Sequence, residues 1–322
     1  MIKGLAITPP ILGRISIGSV VEKNGKRLPV KEDFFTITSQ VQGRNGWVNH
    51  PLDEELRKKT GGTDKLRSIP VRVLFNEPDL NLRAEYSMFD RQTGRPLCVG
   101  NGETCKRFTD SGMQSLPCPS PDGCELAKNG ACKPYGRLNV QIGDEDELGS
   151  FIFRTTGFNS IRTLAARLSY YQAVSGNLLA CLPLELRLRG KSTTMSHRSA
   201  IYYVDLTVRE GMSLEAAITQ ARDTDQRRRE CGFDQTALDG AAVQGFANGA
   251  FEESAEESLE TLEEFYPESG DAESAESAVS AALFDSTAAG KPLAALVRSK
   301  PSLVDKLDKK LGSPPSALLT RP

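Results

Sequence analysis

Residues 182–189 read LPLELRLR, and residues 200–208 read AIYYVDLTV. Apolar and polar residues alternate in both runs, and a period of two residues is typical of a β-strand with one buried face. Arg187 and Arg189 have the same parity as Lys191, so these three side chains are expected on one face of their strand. The two runs predict that the chain is built around a β-sheet.

Similar runs recur toward the N-terminus, together with segments of helical periodicity. Further strands are predicted at 14–18, 35–38, 69–76, 83–89, 136–142 and 149–154. Helices are predicted at 52–59, at 161–171 behind a cap at Asn159 or Ser160, and at 213–230. We therefore expect an α+β fold with a mostly antiparallel sheet, in a body that spans residues 1–230.

Five of the seven cysteines lie between residues 98 and 132, in a segment rich in glycine and proline. With little apolar material of its own, the segment 95–136 is predicted to be a loop-dominated insertion, a knuckle held by a structural Zn2+ ion. Four thiolates in a tetrahedron are typical of structural zinc, and they contribute on the order of 10 kcal/mol to folding. The expected ligands are Cys105, Cys118, Cys124 and Cys132, with Cys98 as the alternative fourth ligand.

Other interpretations of the cysteines stay open at this level. The spacing departs from the C-x2-C of common zinc ribbons, so disulfides or free buried thiols are alternatives. A catalytic zinc is disfavoured because the chain has two histidines, His50 and His197, and neither lies at ligand spacing from the cysteines. A metal-dependent hydrolase or nuclease is kept as an alternative function, since scattered carboxylates leave no linear motif.

The charge of the chain is divided unevenly. Residues 1–209 hold 29 Lys and Arg against 21 Asp and Glu, a net charge of +8, whereas residues 210–322 hold 11 against 21, a net charge of −10. Basic grooves with aromatic platforms suit single-stranded nucleic acid, although solvated strand faces are the plainer alternative. Nucleic-acid contacts are predicted for Arg154, Arg162, Arg167, Arg187, Arg189 and Lys191.

The C-terminal part, residues 231–322, is predicted to be a mostly disordered acidic tail with weak helical islands near 278–284 and 301–311. Residues 251–276 hold 11 Asp and Glu and no Lys or Arg, a composition that buries too little apolar area to offset chain entropy. Phe265 and Tyr266 lie inside this acidic run. The run is therefore either a competitor for the basic body, a docking point for a partner, or a solubilising linker.

Several protein classes are disfavoured by the sequence. No run approaches the roughly 20 apolar residues of a membrane helix, and residues 1–18 carry Pro9, Pro10 and Arg14, unlike a signal peptide. We therefore expect a cytoplasmic protein without membrane contact. The sequence also holds no P-loop, no G-x-G-x-x-G that opens a helix and no G-x-S-x-G elbow, so an enzyme is not expected.

An ordered set of short motifs links the cysteines to the strands that follow them. The set comprises PLCVGNG at 96–102, KR at 106–107, CP at 118–119, Cys124, Cys132, GRL at 136–138, GSFIFRTT at 149–156 and SIR at 160–162. In this order the chain resembles the phage recombination directionality factor-like family, over about residues 10–210. Relatives of that family on integrative elements often carry a hydrolase or metal-binding label.

The resemblance implies an accessory protein that binds a site-specific recombinase, a large serine integrase, and reverses its preferred direction without chemistry of its own. The expected partners are therefore an integrase, DNA or both. The acidic tail is longer than that pattern requires. An alternative role is accordingly that of a single-stranded nucleic-acid-binding protein of a mobile element.

Overall fold

A computed structural model describes residues 10–23, 26–30, 32–43, 46–59, 65–144, 149–192 and 200–246, and also Phe265. The helical islands predicted at 278–284 and 301–311, and all of the acidic run 251–276 except Phe265, lie outside the described residues.

Strands are the commonest regular structure in the described residues. They are β1 (Ile11–Ser16), β2 (Ser19–Lys23), β3 (Lys26–Val30), β4 (Thr36–Gly43), β5 (Gly46–Asn49), β6 (Ser68–Arg72), β7 (Leu82–Phe89), β8 (Pro96–Gly100), β9 (Thr104–Thr109), β10 (Gly112–Pro117), β11 (Lys133–Ile142), β12 (Ser150–Thr155), β13 (Leu184–Ser192) and β14 (Ala200–Val208). β2 and β3 pair with each other as a separate two-stranded hairpin.

The other strands form one mixed sheet. Its long arm has the order β10-β9-β8-β7-β11-β12-β1-β4-β5, and a second arm leaves β11 through β6 to β13 and β14. β1 and β12 run parallel, and every other pairing found among the described strands is antiparallel. The prediction of an α+β fold with a mostly antiparallel sheet is confirmed.

β11 is the junction of the two arms. Its first half, up to Leu138, pairs with β7, and its last two residues pair with β6. The chain between β6 and β7 breaks away from the sheet, and the buried side chain of Asn81 satisfies the backbone there. Its amide nitrogen donates to the carbonyl of Phe75 at 2.7 Å, and its oxygen accepts from two backbone N–H groups at 3.0 Å.

Six helices are found among the described residues: α1 (Pro51–Lys59), α2 (Pro78–Asn81), α3 (Ser120–Gly123), α4 (Phe158–Ser175), α5 (Leu214–Glu230) and α6 (Gln235–Phe246). α4 begins after Gly157, so the predicted cap at Asn159 or Ser160 is wrong. Both side chains are buried in the first turn, and the Ser160 hydroxyl instead accepts from the backbone of Val204 in the edge strand β14, at 3.1 Å.

The main core is built by both arms of the sheet and by the inner faces of α4 and α5. The apolar stripe predicted for α4 contributes Leu164, Leu168 and Tyr171 to it. α6 lies beyond the predicted end of the body at residue 230, and its Ala242 is buried with Phe75 in a separate small cluster.

The cysteine-rich segment departs from its prediction as a loop-dominated insertion. β8, β9 and β10 lie in its first half and extend the long arm of the sheet outward from β7. Cysteine, glycine and lysine replace the usual apolar residues of these strands and hide their alternation. Apart from short turns between these strands, the non-strand part is residues 118–132, which contain α3 and a 3-10 helix at Glu125–Gly130.

Candidate metal centre

The pairing of β8 with β9 places two cysteines on one face of the sheet. Cys98 lies opposite Arg107, and Gly100 lies opposite Cys105. Residues opposite each other in an antiparallel pair share a face, as do residues two positions apart in one strand. Cys98, Cys105 and Arg107 therefore point to the same side.

The segment 118–132 brings three more cysteines over that face. Its start is fixed by a hydrogen bond from the backbone of Cys118 to the carbonyl of Glu103, at 2.8 Å. A side chain at Gly100 would begin 3.0 Å from the Cys118 sulfur, so this sulfur lies directly above the glycine. Cys124 follows α3, and Cys132 immediately precedes β11.

Arg107 links cysteines from both layers. Its Nε lies 3.5 Å from the sulfur of Cys98, and its Nη2 lies 3.9 Å from the sulfur of Cys124. The sulfur of Cys105 instead points to the carbonyl of Pro117, at 3.8 Å.

The thiols influence one another electrostatically. Burial raises the pKa of Cys132 to about 12, and the neighbouring thiols of Cys98, Cys118 and Cys124 add to the rise. Burial also raises the pKa of Cys105 to about 11, with a further contribution from the adjacent Cys98. Thiols with such pKa values keep their protons at neutral pH unless a cation among them displaces those protons.

All seven cysteines are free thiols in this structure. Within the described ranges, no three side chains of His, Cys, Asp or Glu already stand in a metal-ligand arrangement. The structure thus brings Cys105 and Cys118 beside Gly100 and the sulfurs of Cys98 and Cys124 beside Arg107, with Cys132 near enough to feel their charge. A metal ion would have to draw four of these sulfurs closer together. Sequence reasoning missed Arg107 and Gly100, because their relation to the cysteines depends on the strand register.

The basic residues predicted to contact nucleic acid fall into different environments. Arg154 lies in β12 opposite Arg137 and is only 8% exposed, so it is unsuited to contact an external strand. The sequence around Arg154 predicted a strand, but it did not show that both faces of β12 are covered. Arg162 is exposed on α4.

The other four predicted residues lie on β13 and α4. Arg167 and Arg189 both bind the carboxylate of Asp205, at 3.0 Å and 2.6 Å. Lys191 donates to the side chain of Asn159 at 2.7 Å, and its ammonium lies 5.9 Å from the ring centre of Tyr203. Arg187 pairs with Glu185 at 2.5 Å and with Glu210 at 3.4 Å.

Two buried carboxylates pair with the basic residues of this face: the side chain of Asp205 is 3% exposed, and that of Glu185, the partner of Arg187, is 4% exposed. Burial acts to raise the pKa of Asp205, but hydrogen bonds and charge from the guanidiniums of Arg167 and Arg189 outweigh burial, and the pKa lies below the ordinary value. The two carboxylates therefore offset part of the positive charge that the sequence places here. What stays positive is a smaller patch around Lys191, Arg189 and Arg167.

The model of the Gp3-like family, described as recombination directionality factor-like, matches residues 12–209, from β1 to the end of β14. Neither a curated protein nor a solved structure matches the chain. Among the described helices, none is long and apolar enough to cross a membrane. The match covers the clustered cysteines and the basic face, and the chain belongs to the recombination directionality factor-like family.

Proposed function

We propose that this protein is a non-catalytic, zinc-binding accessory factor of site-specific DNA recombination that acts by binding an integrase, DNA or both. Membership of the recombination directionality factor-like family over residues 12–209 supports the recombination role. The grouping of five thiols near Gly100 and Arg107, on one face of the sheet, supports the zinc site. Zinc holds residues 118–132 on the sheet, and so shapes the surface that a partner meets.

The contacts favour a particular set of four ligands. Cys118, Cys124 and Cys132 come from the segment that needs to be held, and Arg107 connects Cys124 with Cys98. We therefore assign Cys98 as the fourth ligand, in place of Cys105, whose sulfur is directed to a backbone carbonyl. Four thiolates around Zn2+ carry a net charge of −2, and Arg107 offsets part of it.

The metal content of the purified full chain tests this assignment. We expect one zinc ion per chain in the wild type and in Cys105→Ser, and loss of zinc in Cys98→Ser. Cys231→Ser is the matched control, because Cys231 is exposed and remote in sequence from the cluster. Retention of zinc in Cys98→Ser with loss in Cys105→Ser would reverse the assignment, and a wild-type chain that takes up no zinc would refute the site.

The recombination role requires a separate assay. The full chain is added to a recombinase of the same mobile element with paired attachment sites, and integration and excision products are counted. We expect the chain to change the ratio of the two products while it leaves DNA uncut on its own. No binding to recombinase or DNA, and no change in the ratio, would contradict the proposal. DNA cleavage that requires Mg2+ or Mn2+ would support the hydrolase alternative.

Single-stranded nucleic-acid binding is a second candidate function, favoured by the arrangement of Lys191 beside Tyr203. A cation next to an aromatic ring suits a phosphate with its adjacent base. Lys191→Glu should weaken binding of a single-stranded oligonucleotide several-fold and reduce the dependence of binding on salt. Lys58→Glu on α1 is the control, because Lys58 is exposed and pairs within its own helix. Equal effects of both substitutions would reject this face.

A further inference from the structure

Phe265 is part of the acidic run 251–276, and its side chain is fully buried against the sheet. Its ring centre lies 4.9 Å from that of Phe89 and 6.1 Å from that of Tyr135, and Phe89 and Tyr135 are 5.6 Å apart. All three pairs meet edge to face, which is a favourable geometry for aromatic rings. These three rings form a cluster that is separate from the main core.

Lys133 recognises the same residue in a second way. Its ammonium donates to the backbone carbonyl of Phe265 at 3.0 Å and lies 5.6 Å from the centre of the Phe265 ring. A charged donor makes a stronger hydrogen bond than a neutral one. Phe265 is therefore held at its ring and at its main chain, as an anchor residue of a bound peptide is held.

The sheet face around this pocket is positively charged. Lys133 lies opposite Ser87, which lies opposite Val99, which in turn lies opposite Lys106, so one row of the sheet carries a lysine on β11 and another on β9. The run that contains Phe265 carries 11 acids and no basic residue. The charges of the pocket face and of the segment that enters it are thus complementary.

The pocket is distinct from the cysteine cluster. The neighbouring row of the sheet runs from Pro134 through Tyr86 and Gly100 to Cys105, and adjacent rows point to opposite faces. The thiols therefore occupy one face of the sheet, and Phe265 occupies the other.

We propose that the pocket formed by Phe89, Tyr135 and Lys133 is a binding site for acidic peptide segments that carry a phenylalanine. In the isolated chain it is filled in cis by Phe265, and an acidic, phenylalanine-bearing segment of a partner protein replaces Phe265 when the partner binds. This site is independent of the proposed zinc and recombination roles.

A single aromatic anchor makes such an exchange feasible. Its contacts are weak compared with a full interface, and the covalent connection to the body supplies an effective concentration on the order of millimolar. A partner segment that makes additional contacts, or that is present at a high local concentration, can compete with the tethered Phe265. Because Phe265 belongs to the acidic run, its replacement couples partner binding to the tail.

A labelled peptide of residues 251–276 tests the site in trans. The full chain with Phe265→Ala should bind this peptide at least about tenfold more tightly than the wild type, because the competing segment is disabled. The same peptide with Phe265→Ala should lose at least about tenfold in affinity, which is the expected share of one buried phenylalanine. Lys133→Glu in the Phe265→Ala chain should weaken binding at least fivefold, and Lys58→Glu should leave it unchanged.

The outcomes are decisive in both directions. Equal binding by the wild type and the Phe265→Ala chain, or no binding by either, would show that Phe265 is only a packing residue. If circular dichroism shows that the Phe265→Ala chain does not fold, proteolysis of the wild type tests the same exchange. Excess native peptide should accelerate cleavage after Glu264 by a glutamyl endopeptidase, and the Ala peptide should not. An unchanged cleavage rate would overturn the proposal.

Discussion

The substitution Gly100→Ala probes the centre of the cysteine cluster with one methyl group. The new Cβ would lie 2.6 Å from the Cβ of Cys105, 2.8 Å from the carbonyl oxygen of Thr104 and 3.0 Å from the sulfur of Cys118. Two of these atoms belong to the paired strand β9, so they cannot move without disturbing the ladder. The third is a proposed zinc ligand, which must retreat from the sheet.

The expected loss has two parts. Overpacking of this kind destabilises a protein by about 1–3 kcal/mol, and this part is independent of metal. Displacement of one of four ligands lowers zinc affinity, which adds to the loss only when zinc is present. The destabilisation caused by Gly100→Ala should therefore be larger with zinc than with a chelator.

Urea unfolding of the full chain, with zinc and with chelator, measures both parts. Gly43→Ala is the matched control, because the nearest atoms to its new Cβ lie 3.7 Å away, at ordinary contact distance. Its free energy of unfolding should change by less than about 0.5 kcal/mol. A loss for Gly100→Ala that is the same with and without zinc would refute the placement of a metal beside Gly100, and no loss at all would refute the crowding itself.

Four further predictions concern other parts of the molecule. Cys124→Ser should lower the melting temperature of the zinc-loaded chain far more than Cys231→Ser, and equal small shifts would contradict the site. Asp205→Asn should cost about 1–3 kcal/mol at pH 7, because two partly exposed guanidiniums lose their carboxylate. The pKa of Asp205 is lowered in the folded chain, so its contribution to stability is fully present above the unfolded pKa and is lost as pH falls through the folded pKa. The difference in free energy of unfolding between the wild type and Asp205→Asn should therefore be smaller in urea at pH 3 than at pH 7. Gly240→Ala, in an open position of α6, should raise the free energy of unfolding by up to about 1 kcal/mol, and a decrease would indicate crowding there. Removal of residues 247–322 should tighten DNA binding at low salt, with a gain that shrinks as salt rises, and unchanged binding would exclude competition by the tail.

Local patterns predicted much of this fold. Alternation marked β13 and β14, and helical spacing marked Leu164, Leu168 and Tyr171 as the buried stripe of α4. These predictions succeed because a side chain's direction along a regular strand or helix depends only on its own few neighbours. The same logic failed for β8 to β10, where cysteines, glycines and charged residues obscure the period.

The candidate site likewise has features that the sequence shows and features that depend on the fold. Clustered cysteines and their chemistry are visible in the sequence, and so is the excess of positive charge before residue 210. The choice between Cys98 and Cys105, the position of Arg107 and the burial of Arg154 depend on strand register. Register is decided by pairing between distant segments, and no local pattern contains it.

The sequence by itself determined the α+β class, the family and the residue types available for a metal site. Only the tertiary structure decided that the thiols gather on one face of the sheet around Gly100, and that Phe265 lies beside Phe89 and Tyr135 on the other face. Phe265 is 130 residues from Tyr135 in the chain, and its acidic surroundings resemble those of an unfolded segment. Composition describes what a segment can bury on its own, whereas this contact depends on a pocket that distant strands build first.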